Sequence, residues 1–516
     1  MNGLPGSSHK WIVALTTMLG TFMEVLDTSV ANVALPHMKG TYAAGTDEIT
    51  WVITSYLVAN AIILPITGWL GSFFGRKRLY LFCLALFTLA SLGAGAAPTL
   101  GWLILMRVVQ GLAGGAMVPM SQAITLEAFP QEEHGMASAL FGIGVIFGPI
   151  LGPLVGGWIT DNWSWPWIFW INIPVGVLAY YLAFSFVEDP PYLHKPEGAV
   201  DYWSLVFIAV GLGCLELFLS RGERLDWFES NTVKVYAGLA ALGLALFIWR
   251  ALTAEKPLVD LAMFRLPEFA GGMALIFIVS FGLYAAFILL PLFAQNLLGY
   301  TPTLAGLLLS PGGVASVVAM VAVGLAMGKV DVRLIVAGGA ASLAYSAWLL
   351  THVNLQTGMA YLVTAWTFHG LGLGFVFVPV ATASVQRIPP ALVGTASGMF
   401  NLMRNEGGSV GIAVASTILA QRAQFHHARL AEHVTPFSGP LQVGQAGLAQ
   451  GLFPRAGLDP ASVQDLSRAF IGAEVTRQSF LMSFVDVFGF LVVVFLLALP
   501  FALALRNPKG GGLSLH

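Results

Sequence analysis

Fourteen apolar runs follow one another along the chain, and each is long enough, at roughly 20 residues, to cross the hydrocarbon of a bilayer as a helix. Their limits are 11–35, 49–71, 79–98, 100–127, 136–160, 166–187, 201–220, 233–253, 269–296, 303–327, 333–352, 358–385, 395–420 and 483–505. Inside lipid every backbone amide and carbonyl must be paired, so only helices or a closed barrel can span. Barrel strands would be shorter and would alternate apolar with polar residues, and these runs do not alternate. Only 10% of the residues are charged, against roughly 25% in a soluble domain, which is too few to solvate one water-soluble core. The chain is therefore read as an all-α polytopic membrane protein. The first run is longer than a signal-peptide core and lacks a small-residue cleavage pattern, so it is read as an uncleaved span. Cys83 and Cys214 fall in apolar runs and give no disulfide framework. A net charge of -2 without a basic stripe gives no sign of nucleic-acid binding.

Lysine and arginine set the expected orientation. With the N-terminus on the cytoplasmic side, the inner segments hold Lys10, Arg76, Lys77, Arg78, Lys195, Arg250, Lys256, Arg265, Lys329, Arg333, Arg387, Arg506 and Lys509. The short outer loops hold Lys39, Arg221, Arg224 and Lys234. This excess is the positive-inside pattern, with both termini cytoplasmic. The long segment 421–482 carries arginines too, but loops of that size translocate largely regardless of charge. "NWSWPW" (162–167) reads as part of an interfacial aromatic belt.

The chain also repeats itself. At a single offset of 259, Pro130, Gly135, Ser138, Phe141, Gly148 and Gly152 meet Pro389, Gly394, Ser397, Phe400, Gly407 and Gly411. In the preceding runs Gly111 and Gly115 meet Gly370 and Gly374, and Gln110 meets His369. Duplicated halves point to a transporter whose site lies between the repeats. The offset takes run 5 to run 13, two more than a pair of six-helix halves needs. The runs at 201–220 and 233–253 are the natural insertion. The expected organisation is a six-helix bundle at 1–187, an inserted pair with linkers at 188–268, and a second six-helix bundle at 269–516 that includes the loop 421–482.

Two stretches carry the chemistry. In "GIGVIFGPILGPLVGGW", Gly144, Gly148, Gly152 and Gly156 recur every four residues and form one stripe. Such a stripe admits a neighbouring helix backbone to backbone, while Pro149 and Pro153 each remove a helix hydrogen bond and favour a bend. The stripe is either a tight helix contact or a bent gate helix that rocks. In "TFMEVLDTSVANVALP" (21–36), Glu24 and Asp27 lie on neighbouring sides of one helix, Glu24 about 20 Å along it from Trp11. An intramembrane acid usually faces a cavity or a partner. A carboxyl that binds a proton on one side and releases it on the other supplies antiport chemistry. Asp27 is alternatively a structural hydrogen-bond acceptor for hydroxyls of neighbouring helices, and Glu24 a cavity-lining acid that tunes substrate choice without coupling. Arg107 lies too deep to be a surface anchor and needs an acid or several acceptors. Asp27 or Glu24 is the expected partner, in a static or an alternating pair. Arg404 and Glu406 either pair with each other or face the cavity. His369 is a relay, a substrate contact or a helix-contact histidine. Glu216 is expected to face another helix, and Asp486 to be solvated at an interface.

Several motifs resemble the major facilitator superfamily, and in particular its fourteen-helix drug:proton antiporters of the EmrB/QacA type. "GxxxGPxxGPxxGG", ending at Gly157, resembles their antiporter motif, and "LDTSVANVALP" (26–36) their first-span motif, which includes Asp27 and Asn32. "RVVQGLAGG" (107–115) resembles the fourth-span motif built on an intramembrane arginine, and "GWLGSFFGRKRL" (68–79) the loop motif between spans 2 and 3. "SRGERLDWF" (220–228), "KPLVDLAMFR" (256–265), "GYTPTLAG" (299–306) and "HHARLAEHVTPF" (426–437) extend the likeness to EmrB-like proteins over nearly the whole chain. The loop motif keeps Gly68, Gly75, Arg76 and Lys77, but Ser72 stands where the family has an acid and Phe73 where it has a base. That departure leaves the family's charged latch, or mere positive-inside anchoring, as alternatives. Glu24 and Glu406 are additions to the pattern.

The resemblance implies a two-bundle fold with a central cavity and proton-driven export of hydrophobic or amphipathic drug-like compounds. Asp27, Glu24, Arg107 and Glu406 are then the proton-coupling candidates, and Asn32, Gln110, His369 and Arg404 the cavity candidates. It further implies a bacterial inner membrane, a periplasmic adaptor of the EmrA type and a TolC-like outer-membrane channel. The loop 421–482 is either a docking surface for that adaptor or a simple periplasmic lid. No cofactor beyond the coupling proton and no metal site are expected; the three histidines of "FHHARLAEH" are a weak ligand pattern. A lipid-modifying enzyme would need a nucleophile–base pair, a metal cluster or a phosphate loop, none of which is readable. A channel predicts rings of pore residues from symmetric subunits. A stand-alone facilitator of one metabolite is the nearer alternative, and the glycine–proline motif and the fourteen spans weigh against it.

Overall fold

The computed structural model describes residues 7–191, 201–255, 257–434, 442–443, 446–447 and 460–505. The middle of the predicted loop 421–482, Lys195, Lys256, Arg506 and Lys509 lie outside the described residues. The long helices are α1 (Ser7–Tyr42), α2 (Thr46–Phe74), α3 (Arg76–Gly95), α4 (Leu100–Ala128), α5 (His134–Asn162), α6 (Trp167–Phe186), α7 (Tyr202–Gly222), α8 (Asn231–Thr253), α9 (Pro267–Leu298), α10 (Pro302–Ala326), α11 (Val332–Leu350), α12 (Met359–Val385), α13 (Val393–His433) and α14 (Pro460–Leu497). Each overlaps one predicted run, α14 ending at Leu497 before a short separate helix at Leu499–Ala502. Pro65 tightens α2 into a 3-10 turn at Leu64–Ile66, as expected where an internal amide donor is missing.

Among the described residues, thirteen helices are long and apolar enough to cross a membrane, and α13 falls short. The shortfall has a physical cause: Asn401, Arg404 and Glu406 of α13 are buried in the protein, so polarity is turned away from lipid. The 41 residues of α13 run on well past the predicted limit at 420. The α14 helix likewise starts at Pro460, ahead of the predicted run at 483. Much of the predicted loop is thus helix continuing beyond the hydrocarbon.

The repeat offset is reproduced in three dimensions. Leu100 and Met359 open α4 and α12, 3-10 turns occupy Gln131–Glu133 and Pro390–Leu392, and α5 and α13 begin at His134 and Val393. α1 packs along α5 as α9 does along α13, and α2 along α4 as α10 does along α12. α7 and α8 pack on each other as a hairpin, with α7 against both α2 and α13.

The two halves meet most closely at the end that carries Arg76 and Arg387, here called the basic face. α5 packs along α10, and the end of α2 packs on α13. A Cβ on Gly68 would lie 2.3 Å from the Thr395 amide, and one on Gly135 would lie 2.8 Å from Met327. Asn401 donates to Gln122 at 2.8 Å, Thr382 to Ser138 at 2.9 Å, and Phe141 stacks on Phe377. Hydrogen bonding between the halves reaches mid-depth at Asn405–Asn60, 3.0 Å.

Candidate functional site

Asp27 and Arg107 form an ion pair that is fully buried, with both side chains at 0% exposure. Most of the remaining hydrogen-bonding capacity of the pair is met; Arg107 Nη2 is left without a partner among the described residues. Asp27 Oδ1 accepts from Asn172 Nδ2 of α6 at 2.7 Å and from Gln110 Nε2 at 3.2 Å. Gln110 also donates to Ser91 of α3 at 2.8 Å, and its carbonyl accepts from Arg107 at 3.1 Å. Arg107 Nε donates to the Val52 carbonyl of α2 at 3.0 Å, and the guanidinium lies over the Tyr56 ring, 4.2 Å from its centre. Through Arg107 and Gln110, the network around Asp27 therefore ties together α1, α2, α3, α4 and α6. A buried ion pair compensates its desolvation only when the spare donors and acceptors are met in this way.

Glu24 stands beside this knot but not in it. Its Oε1 accepts from Tyr56 at 2.6 Å and from Asn60 at 3.1 Å. The Asn60 carbonyl in turn accepts from Asn405 of α13 at 3.0 Å. Arg404, next along α13, attracts Glu24 across the boundary between the halves. Of the two acids in the first span, Asp27 is thus internal to one half and Glu24 reaches the other.

A narrow cavity lies between the halves, lined by Val145 and Ile146 of α5, Ile276, Val279, Ser280, Leu283 and Tyr284 of α9, Leu373 and Phe377 of α12, and Arg404. Its walls are apolar apart from Ser280, Tyr284 and the guanidinium. Arg404 is 5% exposed, and its Nε and Nη1 have no hydrogen-bond partner among the described residues. Gln110 sits inside the Asp27 knot, away from this cavity. His369 is buried flat against Trp366, ring centres 4.4 Å apart. Asn32 is exposed and donates to its own helix at Thr28. Arg404 and Glu406 do not pair: Glu406 is buried against α7, near Glu216. Asp486 accepts from Arg422 at 2.6 Å and bonds His426 at 2.7 Å, joining the extension of α13 to α14.

The glycine stripe of α5 faces α1. Added Cβ atoms on Gly144, Gly148, Gly152 and Gly156 would meet Met18, Val25, Ser29 and Val30, at 2.7 Å for Val25 and 2.1 Å for Ser29. Gly157 meets nothing within 4 Å. Pro149 and Pro153 lie within the continuous α5. Gly148→Leu is expected to cost about 1–3 kcal/mol by overpacking, read as a fall in melting temperature in detergent, whereas Gly157→Ala changes it by less than about 0.5 kcal/mol. Equal melting of the two variants would rule out the stripe as a packing seam.

The loop motif forms a tight corner. Gly75 has φ +88, open to glycine, and a Cβ there would sit 2.8 Å from the Asp189 carboxylate. That carboxylate accepts from the Lys77 amide at 2.8 Å, capping α3. Arg76 is buried, ion-paired with Glu127 of α4, and its Nη2 donates to the Pro390 carbonyl of the other half at 3.4 Å. The acid missing at Ser72 is thus partly offset: the arginine takes Glu127 from its own half and a backbone carbonyl from the other. Residues that sequence reasoning missed are Tyr56, Asn60, Ser91, Asn172 and Asn405. All are polar groups inside apolar runs, and that is the signal that marks them.

The model of the Major Facilitator Superfamily matches residues 17–412. The fatty acid resistance protein FarB of Neisseria gonorrhoeae is 33% identical over 99% of both chains. The multidrug export protein EmrB of Escherichia coli K12 is 32% identical over 97% of this chain and 96% of its own. Among solved structures, a double tryptophan mutant of XylE superposes with a TM-score of 0.62 over 98% of both chains, at 15% identity. The chain belongs to the Major Facilitator Superfamily and is an EmrB-like member of it. It is a multi-pass membrane protein with the all-α fold of that superfamily, a family of transporters and not of enzymes.

Proposed function

We propose that the protein is a proton-coupled exporter of hydrophobic or amphipathic toxic compounds, working by alternating access in a bacterial inner membrane with both termini in the cytoplasm. The observation that carries this reading is the buried Asp27–Arg107 knot with Glu24 beside it, linked through Asn60 to the other half. Protonating Asp27 removes one charge of the pair and leaves the guanidinium to its neutral acceptors. Protonating Glu24 weakens its attraction to Arg404. Either event changes the relative free energy of two arrangements of the halves, which is the requirement for coupling. The names of the relatives support multidrug or fatty-acid export, and the apolar cavity with one guanidinium suits amphipathic molecules. As in EmrB-type pumps, a periplasmic adaptor and a TolC-like channel are the proposed partners, with the α13 and α14 extensions as the docking surface.

The test is dye movement in proteoliposomes under an imposed pH gradient. The gradient is expected to drive a lipophilic dye in the wild type, and indifference to the gradient would overturn the proton-coupled reading.

With the basic face cytoplasmic, the closely packed arrangement is the outward-facing state. Gly68→Leu then pushes against Thr395 and favours opening of the basic face. A clash of about 1–3 kcal/mol displaces that equilibrium by roughly five- to 150-fold. The readout is maleimide labelling of Gln122→Cys, a position buried in the closed seam. Labelling no faster than in the Gly68 parent would show that this seam is not the gate.

A further inference from the structure

Glu216 and Glu406 are buried acids from different parts of the chain. Glu216 belongs to the inserted helix α7 and is 3% exposed; Glu406 belongs to α13 and is 4% exposed. Ser409 donates to Glu216 Oε1 at 2.9 Å. Glu406 and Ser409 are three residues apart, so Glu406 shares the face of α13 whose Ser409 reaches Glu216 of α7. The two acids act on each other electrostatically. Neither oxygen of Glu406 has a hydrogen-bond partner among the described residues.

Among the described residues, no cation is paired with either carboxyl. On α13, Arg404 acts on Glu24 and lines the cavity. α9 brings the Tyr284 ring to Gly408, α2 brings Asn60 to Asn405, and α4 brings Gln122 to Asn401. Against α7, α2 places Val58 and Ile62 at Gly213, and α8 places Leu244 at Gly211. Arg221, five residues further along α7, lies over the Trp51 ring. Two carboxylates in such a place are costly, because a buried charge needs an opposite charge or a full set of hydrogen bonds. One proton meets both needs at once: it removes a charge and becomes the donor that Glu406 lacks.

We propose that Glu216 and Glu406 form a second proton site, holding one proton between the two carboxyl groups. Uptake of one proton turns two carboxylates into a carboxyl–carboxylate pair, and release restores them. The inserted hairpin thereby takes part in coupling, since moving α7 relative to α13 separates the pair. This rests on the proton-export reading and names a further site within it.

The experiment is infrared titration of the purified full-length protein, following the protonated-carboxyl carbonyl band as wild-type-minus-variant difference spectra. Glu216→Gln and Glu406→Gln are each expected to move the titration of the remaining carboxyl by about one pH unit or more, as for two strongly interacting groups. Ser409→Ala, which removes only a hydroxyl, is expected to shift the same step. Gradient-driven dye movement of each variant is measured alongside and is expected to fall. If either glutamine variant leaves the other carboxyl titrating as in the wild type, the shared site is overturned, even when wild-type transport is proton-driven. If the band behaves as expected while wild-type transport ignores the gradient, the export reading fails and the proton site stands.

Discussion

Asp27→Asn is expected to bring gradient-driven dye movement down to the rate of empty liposomes while dye binding is retained. The substitution keeps the shape of the side chain and one of its two acceptor oxygens. Asn172 and Gln110 still find a carbonyl oxygen, while Arg107 loses its counter-charge, so a lower melting temperature is expected alongside retained dye binding. What is lost is the charge opposite Arg107 and the ability to take up a proton. Because both groups are at 0% exposure, water does not screen the difference, and the two states of the knot no longer differ by protonation. Driven transport at the wild-type rate would make Asp27 a purely structural acceptor, and Glu24 or Glu406 the next carrier to test.

Arg107→Met is expected to be the most destabilising single change in the N-terminal half. It removes the cation and leaves the Asp27 carboxylate buried with neutral donors only. Breaking a buried pair by removing one partner costs about 3–5 kcal/mol. The same change also strips the Val52 carbonyl of its donor and the Tyr56 ring of its stacked guanidinium. The measurement is thermal unfolding in detergent, with Asp27→Asn added in the same chain. The double variant is expected to recover much of the loss, since the unpaired charge is gone. A double variant as unstable as Arg107→Met would show that the loss comes from packing and not from charge.

Spans and repeat were legible in the sequence because lipid imposes a length and an apolar content that few other demands imitate. Among the described residues, α13 is the long helix that hydropathy marks most weakly, because Asn401, Arg404 and Glu406 turn inward; it is legible as the run 395–420, and the offset from Pro130 to Pro389 agrees with it. The intramembrane charges were legible for the same reason, as each is too expensive to be incidental. Their pairing was not. Whether Arg107 meets Asp27 or Glu24 depends on the rotation of α1 against α4, which no spacing within one helix reveals. Asn60, Asn172 and Asn405 were passed over because a neutral amide costs less than a charge and so stands out less. Glu216 was expected to face another helix, but that its neighbour would be a second acid follows only from how α7 lies on α13.

The length of α13 has a mechanical meaning. At about 1.5 Å per residue, its 41 residues measure roughly twice the thickness of a hydrocarbon core of about 30 Å. One end is locked at the basic face by Gly68, Thr395 and the Pro390 carbonyl. Near the other, Arg422 and His426 brace it to Asp486 of α14. A rod held at one end and braced near the other acts as a lever arm. In the alternating-access cycle proposed above, a small tilt of the C-terminal half at the cavity is enlarged at that tip in proportion to the distance, so the proposed adaptor, touching it, would feel each turnover as a stroke.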